Sequence, residues 1–333
     1  MDVAPSRKFK NTWRISGLFL SALVGAGFAT GREIFIYFAA FGVWGLAGFL
    51  LSCGILCVTS VCILSRRKLS PVIQVVIRVF TFLGYITMVA GFRDVLTLLF
   101  PDVAACHPVL FGVASCGIIS AFTLLVLCRG FKFFATLCQI ITPFLIICIL
   151  TLSFLSIYKY GVPTLRLAEP LQVGTFSARV FLYTGYNILF LVGVLGRVDH
   201  TLGKMEIVGG SFLGTFLFLI GGAGIFIMLI QNTELLSQSA MPLCTLAQSW
   251  GPVLGCGFQV MVALAMLLCG VSALGSASGG GANRHFTGKI LILLAIPLSY
   301  VGFDRILLFI YPIFGVMGIF LLCTLAKTHK KSV

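Results

Sequence analysis

Acidic residues are nearly missing: nine Asp and Glu stand against 23 Lys and Arg in 333 residues, and charges of both signs make up only 10% of the chain. A soluble domain carries about 25% charged residues, so an ordinary water-soluble fold is excluded. No long polar segment exists either. The net charge of +14 therefore has no folded basic face on which to hold nucleic acid. Histidine is scarce, and His107, His200, His285 and His329 all fall at the ends of apolar runs or between them. That placement excludes a mid-membrane haem pair. The twelve cysteines include no C-x-x-C spacing, and most, such as Cys53, Cys116 and Cys269, lie in apolar runs where cysteine acts as a small hydrophobe. No metal site and no cofactor are expected. H-E-x-x-H, G-x-S-x-G and G-x-G-D are all absent, so no hydrolase or intramembrane protease chemistry is expected.

What remains is apolar: 59% of the residues, with a mean hydropathy of +1.11. Runs of eighteen or more apolar residues recur, and segments such as 46–64 and 212–230 show none of the alternation a β-barrel strand requires. The chain is expected to be all-α and polytopic, with spans near 13–39, 42–64, 74–100, 107–128, 133–158, 174–195, 207–231, 252–275, 287–303 and 305–326. The ninth is short and contains Pro297. This layout puts 17 of the 23 basic residues on one side of the membrane. Only Lys159, Arg166 and Arg305 fall at the other side, and Arg32, Arg93 and Arg179 lie within spans. By the positive-inside rule both termini are cytoplasmic. Trp13, Trp44 and Trp250 sit at span ends, as interfacial anchors do. The basic-then-apolar start, 7–29, has the outline of a signal peptide. It also holds the most distinctive motif, so it reads as the first span.

That motif runs Val24-Gly25-Ala26-Gly27-Phe28-Ala29-Thr30-Gly31-Arg32-Glu33-Ile34. Glycine weakens a helix interior by about 1 kcal/mol each, so the three glycines predict a break. Backbone freed within a bilayer must be satisfied or must line a polar cavity. The helix resuming near Arg32 would aim a partial positive charge at that cavity. Glu33 could bind an amine, take a coupling proton, or pair with Arg32 or Arg93. Span 6 carries a second expected break, Tyr183-Thr184-Gly185-Tyr186-Asn187. Interrupted helices at matching places in two inverted halves of five spans point to a transporter site. The halves would be 12–158 and 174–326. Span 8 ends in Ser272 to Ser278, whose hydroxyls could join span-1 carbonyls around Na⁺ or satisfy their own helix. Gly42, Gly45 and Gly48, and Gly210 with Gly214, suit close helix packing.

The first motif, with Phe41-Gly42-Val43-Trp44-Gly45 and the later Ile310-Tyr311-Pro312, Gly315 and Gly318, resembles YkvI-type bacterial membrane proteins. These are grouped with the amino acid–polyamine–cation transporter superfamily. The resemblance implies a LeuT-like five-plus-five inverted repeat with helices 1 and 6 broken, in a bacterial cytoplasmic membrane. The family often has glutamine where Arg32 stands. The expected activity is Na⁺- or H⁺-coupled uptake of a small amino acid or related zwitterion. Substrate would meet Gly25, Ala26, Gly27, Thr30, Glu33, Tyr183, Thr184, Tyr186 and Asn187. The coupling ion would meet Ala22, Glu33, Ser272 and Ser276. The alternative is a non-transporting scaffold that keeps a transporter fold and binds a partner.

Overall fold

The computed structural model describes residues 5–65, 70–163, 173–198, 202–232, 236, 239–280 and 283–329. Every long element is an α-helix. The first expected span is three pieces, α1 (Pro5–Leu23), α2 (Ala26–Ala29) and α3 (Arg32–Tyr37). Then come α4 (Val43–Leu64), α5 (Pro71–Leu99), a short α6 (Pro101–Cys106), α7 (Pro108–Arg129) and α8 (Phe131–Tyr160). The second half has α9 (Val173–Leu195), α10 (Lys204–Gln231), the short α11 (Pro242–Ser249), α12 (Pro252–Ala277), α13 (Arg284–Ser299) and α14 (Phe303–His329).

Among the described residues, eight of these helices are long and apolar enough to cross a membrane. The other two expected segments are the interrupted first one and α13, which has 16 residues. Their side chains fit a lipid solvent. Val109, Phe154, Phe212, Leu293 and Phe309 are exposed, an arrangement that would aggregate in water. Proline fixes several helix starts: Pro71, Pro101, Pro108, Pro242 and Pro252 each occupy the first turn, where a missing N–H is harmless. Gly130 and Gly161 follow the ends of α7 and α8 with positive φ, the usual stop for a helix.

Packing places α12 and α9 at the centre. α12 lies along α5, α14 along α9, and α1 along α10. The pairings recur at an offset of five segments. α1 with α10 matches α9 with α4, α1 with α8 matches α9 with α14, and α7 with α12 matches α13 with α5. Gly210 and Gly214 seat Ile15 and Phe19 of α1, and Gly48 receives Phe176 and Val180 of α9.

One expectation needs correction. The sixth segment is not broken: α9 runs without interruption through Tyr183, Thr184, Gly185, Tyr186 and Asn187. Thr184 and Asn187 stitch the helix instead, bonding back to Val180 O at 2.7 Å and Tyr183 O at 2.9 Å. Gly185 serves a different need, since a Cβ there would strike the backbone of Gly315 on α14.

Candidate functional site

The site begins where the first segment fails. Gly25 is extended (φ −91°, ψ −166°) and Gly31 is left-handed (φ 78°). At Gly31 the positive φ needs glycine, because a Cβ is disfavoured in the left-handed region. Among the described residues, Gly25, Ala26, Gly27 and Phe28 amides find no backbone acceptor, and the Ser21 to Val24 carbonyls receive no backbone donor. The second break is steadied from outside: Leu243 of α11 donates its amide to Thr30 O at 3.0 Å. So the first segment breaks twice, with a buried four-residue turn between.

Glu33 folds back into this break. It is buried, and its carboxylate accepts the Tyr186 hydroxyl at 2.5 Å. A Cβ on Gly27 would overlap that carboxylate, so Gly27 is the space Glu33 uses. Around it stand Tyr37, Tyr183, Tyr186 and Tyr311. The Tyr186 ring lies 5.8 Å from Tyr37, 5.3 Å from Tyr183 and 4.7 Å from Tyr311. The Tyr183 hydroxyl is buried without a hydrogen-bond partner.

Among the described residues Glu33 has no basic partner. Arg32 turns away and grips Asp304 at the start of α14, at 2.8 and 3.2 Å, while also donating to Ser239 O at 3.2 Å. Arg93 pairs with its neighbour Asp94 at 3.2 Å and lies 4.7 Å from the Tyr300 ring centroid. Arg179 donates to Ile36 O at the end of α3, a favourable place for a cation. All three intramembrane arginines are thus engaged elsewhere. An ionised carboxylate buried without a counter-charge carries a penalty of several kcal/mol. The site therefore has a place for one positive charge.

The remaining expected residues divide. Gly25, Ala26, Gly27, Glu33, Tyr183 and Tyr186 come together at the break. Thr30 is there too, but its hydroxyl is used on Ala26 O at 2.8 Å. Thr184 faces Ser52 of α4 at 3.0 Å, and Asn187 donates to its own helix. On the ion side, Ala22 lies just before the break and α1 packs on α12. Ser276 is committed to Gly193 O at 2.7 Å and Ser272 O at 2.9 Å, which ties α12 to α9. Ser272 is buried one turn from Cys269, and Cys269 Sγ would lie 3.1 Å from a Cβ on Gly25. Tyr37 and Asp304 belong to the neighbourhood and were not singled out from sequence; Tyr311 stood out only in the last-span motif, not as a site residue. Tyr37 stands four residues from Glu33, one turn along the same helical face.

The two ends of the site differ. One is shut by Arg32, Asp304 and the Phe38–Tyr183 contact, with ring centroids 4.7 Å apart. Towards the other end a cavity of about 380 Å³ is lined by Ile77, Val192, Gly193 and Ser276 among others. Gly193 lies roughly 10 Å along α9 from Tyr186, at 1.5 Å per residue. Replacing Asp304 with asparagine should loosen the shut end. Asp304 is 36% exposed, and solvent screening limits the pair to about 1 kcal/mol. That corresponds to a roughly fivefold shift in the opening equilibrium. Amide hydrogen exchange in peptides spanning 26–41 should rise by that factor, and unchanged exchange would show that the pair is no latch.

No protein-family model and no curated protein sequence matches the chain. Solved structures do. MhsT in complex with L-phenylalanine aligns with a TM-score of 0.67 at 17% identity, over 92% of this chain and 86% of MhsT. A substrate-bound, outward-open Na⁺-coupled sialic acid symporter aligns with a TM-score of 0.53 at 13% identity, over 92% and 75%. Mhp1, a nucleobase-cation-symport-1 family transporter in a closed conformation with bromovinylhydantoin bound, gives 0.53 at 11%, over 93% and 71%. At these identities the likeness establishes the fold: this is an all-α, polytopic membrane protein of LeuT-like architecture.

Proposed function

We propose that the chain is a secondary active transporter that takes up a small amino acid, amine or related zwitterion by alternating access, coupled to Na⁺ or H⁺. The observation that carries this reading is Glu33. A buried carboxylate sits in the break of the first segment, beside freed backbone amides, with no basic side chain against it. It can hold a substrate ammonium or a coupling proton, and release of either recharges the site. The amides at Gly25, Ala26 and Gly27 offer donors for a carboxylate on the same solute. Tyr186 orients Glu33, and the unpartnered Tyr183 hydroxyl is a further donor. The Ala22 carbonyl and Ser272 are the candidates for a Na⁺ ligand set, since a hard cation prefers oxygen.

The helix pairings at an offset of five segments support the two inverted halves, 12–158 and 174–326. The opening motif and the fold support a place among the amino acid–polyamine–cation transporters, near the YkvI type. The distribution of basic residues supports a bacterial cytoplasmic membrane with both termini inside. A partner-binding scaffold would be favoured by fixed positive charge at the pocket; Arg32 and Arg93 are instead neutralised by Asp304 and Asp94, which favours the transporter reading.

The test is solute-evoked current from proteoliposomes on a solid-supported membrane. A panel of amino acids and amines would be applied under separate Na⁺ and H⁺ gradients, with ligand-dependent thermal shifts on the same panel. A saturable current is expected, absent in Gly27→Leu, whose side chain would displace Glu33. Neither current nor thermal shift from folded, inserted protein would overturn the proposed substrate class.

A further inference from the structure

The cavity of about 380 Å³ at the basic end of the bundle is lined by three arginines from three separate places: Arg78 near the start of α5, Arg197 just after α9, and Arg284 at the first turn of α13. Among the described residues none of them meets a carboxylate. Arginines at a membrane face are ordinarily topology signals whose heads reach into water. Two of these are placed otherwise. Arg197 and Arg284 are only partly exposed, and Arg284 Nε is buried with no hydrogen-bond partner. The Arg197 guanidinium lies against Gly275, where a Cβ would come within 2.5 Å of Nη1. The Arg78 guanidinium lies against Gly279, which has φ 70° and where a Cβ would come within 2.7 Å of Cζ. Glycines at the end of α12 thus make room for both cations. The Phe131 ring, 4.9 Å from Arg197 Cζ, holds that guanidinium from the other side.

We propose that this cavity binds a multivalent oxyanion of the phosphate class, either a free phosphate or the phosphate of a lipid headgroup. Charge selects the class. Three guanidinium groups around one space are poorly matched by a single carboxylate and well matched by a phosphate. The planar donor fork of arginine suits phosphate oxygens in particular. The first turn of the 16-residue α13 opens beside the same space, adding amides and the positive end of a helix. Burial, and then the nearby Arg284, bring Arg197 down to about 10. It remains charged at neutral pH, in a setting that an anion would relieve. The proposal does not rest on Glu33 or on transport. Its occupant would tie together α5, α9, α12 and α13 at one end of the bundle.

The experiment uses the full chain in nanodiscs. Inorganic phosphate is titrated against chloride at matched ionic strength, and the thermal midpoint and heat of binding are followed. Native mass spectrometry in parallel asks whether phosphatidylglycerol is retained over phosphatidylcholine. A saturable phosphate response, weakened at least tenfold in Arg284→Gln and unaltered in Lys289→Gln, is expected for a free-phosphate site. Retention of the anionic lipid that falls in the same variant identifies the headgroup as the source. Arg78 is exposed, so Arg78→Gln gives a second reading should the other variant fold poorly. Folded protein that shows neither phosphate binding nor arginine-dependent lipid retention overturns the proposal, as does a response that all the variants keep.

Discussion

Replacing Glu33 with glutamine is expected to reduce coupled current to the level of empty liposomes, a loss of at least 100-fold, in a protein as stable as the parent or more so. The two halves of this expectation come from the same geometry. Glutamine keeps the shape that fits above Gly27 and keeps an oxygen to accept the Tyr186 hydroxyl. It cannot take up and release a charge. Removing an unpaired buried carboxylate also removes a desolvation penalty of several kcal/mol, so the thermal midpoint should hold or rise. A core residue whose only task is packing would behave in the opposite way, losing stability first and activity with it. Glu33→Asp separates shape from charge. It keeps the carboxylate but is one methylene too short to hold Tyr186 in place, and it should retain weak, poorly saturable current. Wild-type current from Glu33→Gln would remove Glu33 from the coupling machinery altogether.

That the first segment breaks was legible because glycine leaves a local signature: Gly25, Gly27 and Gly31 fall within seven residues. That it breaks twice, with the turn Ala26–Ala29 between, was not. The matching break expected in α9 was not there, although Thr184-Gly185-Tyr186-Asn187 looks much the same on paper. The difference lies in what stands opposite. Gly25 and Gly31 adopt backbone conformations that interrupt a helix, whereas Gly185 keeps helical geometry and gives up its side chain to let α14 in. A sequence records the small residue and not its reason. Charge pairing was hidden for a similar cause. Arg93 and Asp94 are adjacent in sequence, so their pairing is local, while Arg32 and Asp304 are 272 positions apart and meet only through the fold. That one unseen contact changes the chemistry of the site, because it takes the cation away from Glu33.

The α9–α14 seam yields the last expectation. A Cβ on Gly318 would run into the backbone of Gly185, and one on Gly315 would meet Leu182 Cα and O at 2.7 Å. Backbone cannot move aside as a side-chain end can, so the helices must part. Overpacking of this kind typically destabilises by about 1–3 kcal/mol for a small added group. Gly318→Ala should therefore lower the thermal midpoint by several degrees, and Gly318→Leu should prevent recovery of folded protein. Gly54 provides the contrast. It sits mid-helix in α4 with nothing within 4 Å of its would-be Cβ, so Gly54→Ala gains helix propensity of about 1 kcal/mol and should hold or raise the midpoint. The seam also reaches the site. The Tyr311 ring on α14 packs at a tilt 4.7 Å from the Tyr186 ring on α9, and Tyr186 holds Glu33. Forcing the helices apart at Gly318 should thus raise the half-saturating solute concentration even at temperatures where Gly318→Ala is fully folded. Equal midpoints for Gly318→Ala and Gly54→Ala would mean that the seam is slack. A lower midpoint with unaltered solute affinity would mean that α14 supports the fold without positioning Tyr186.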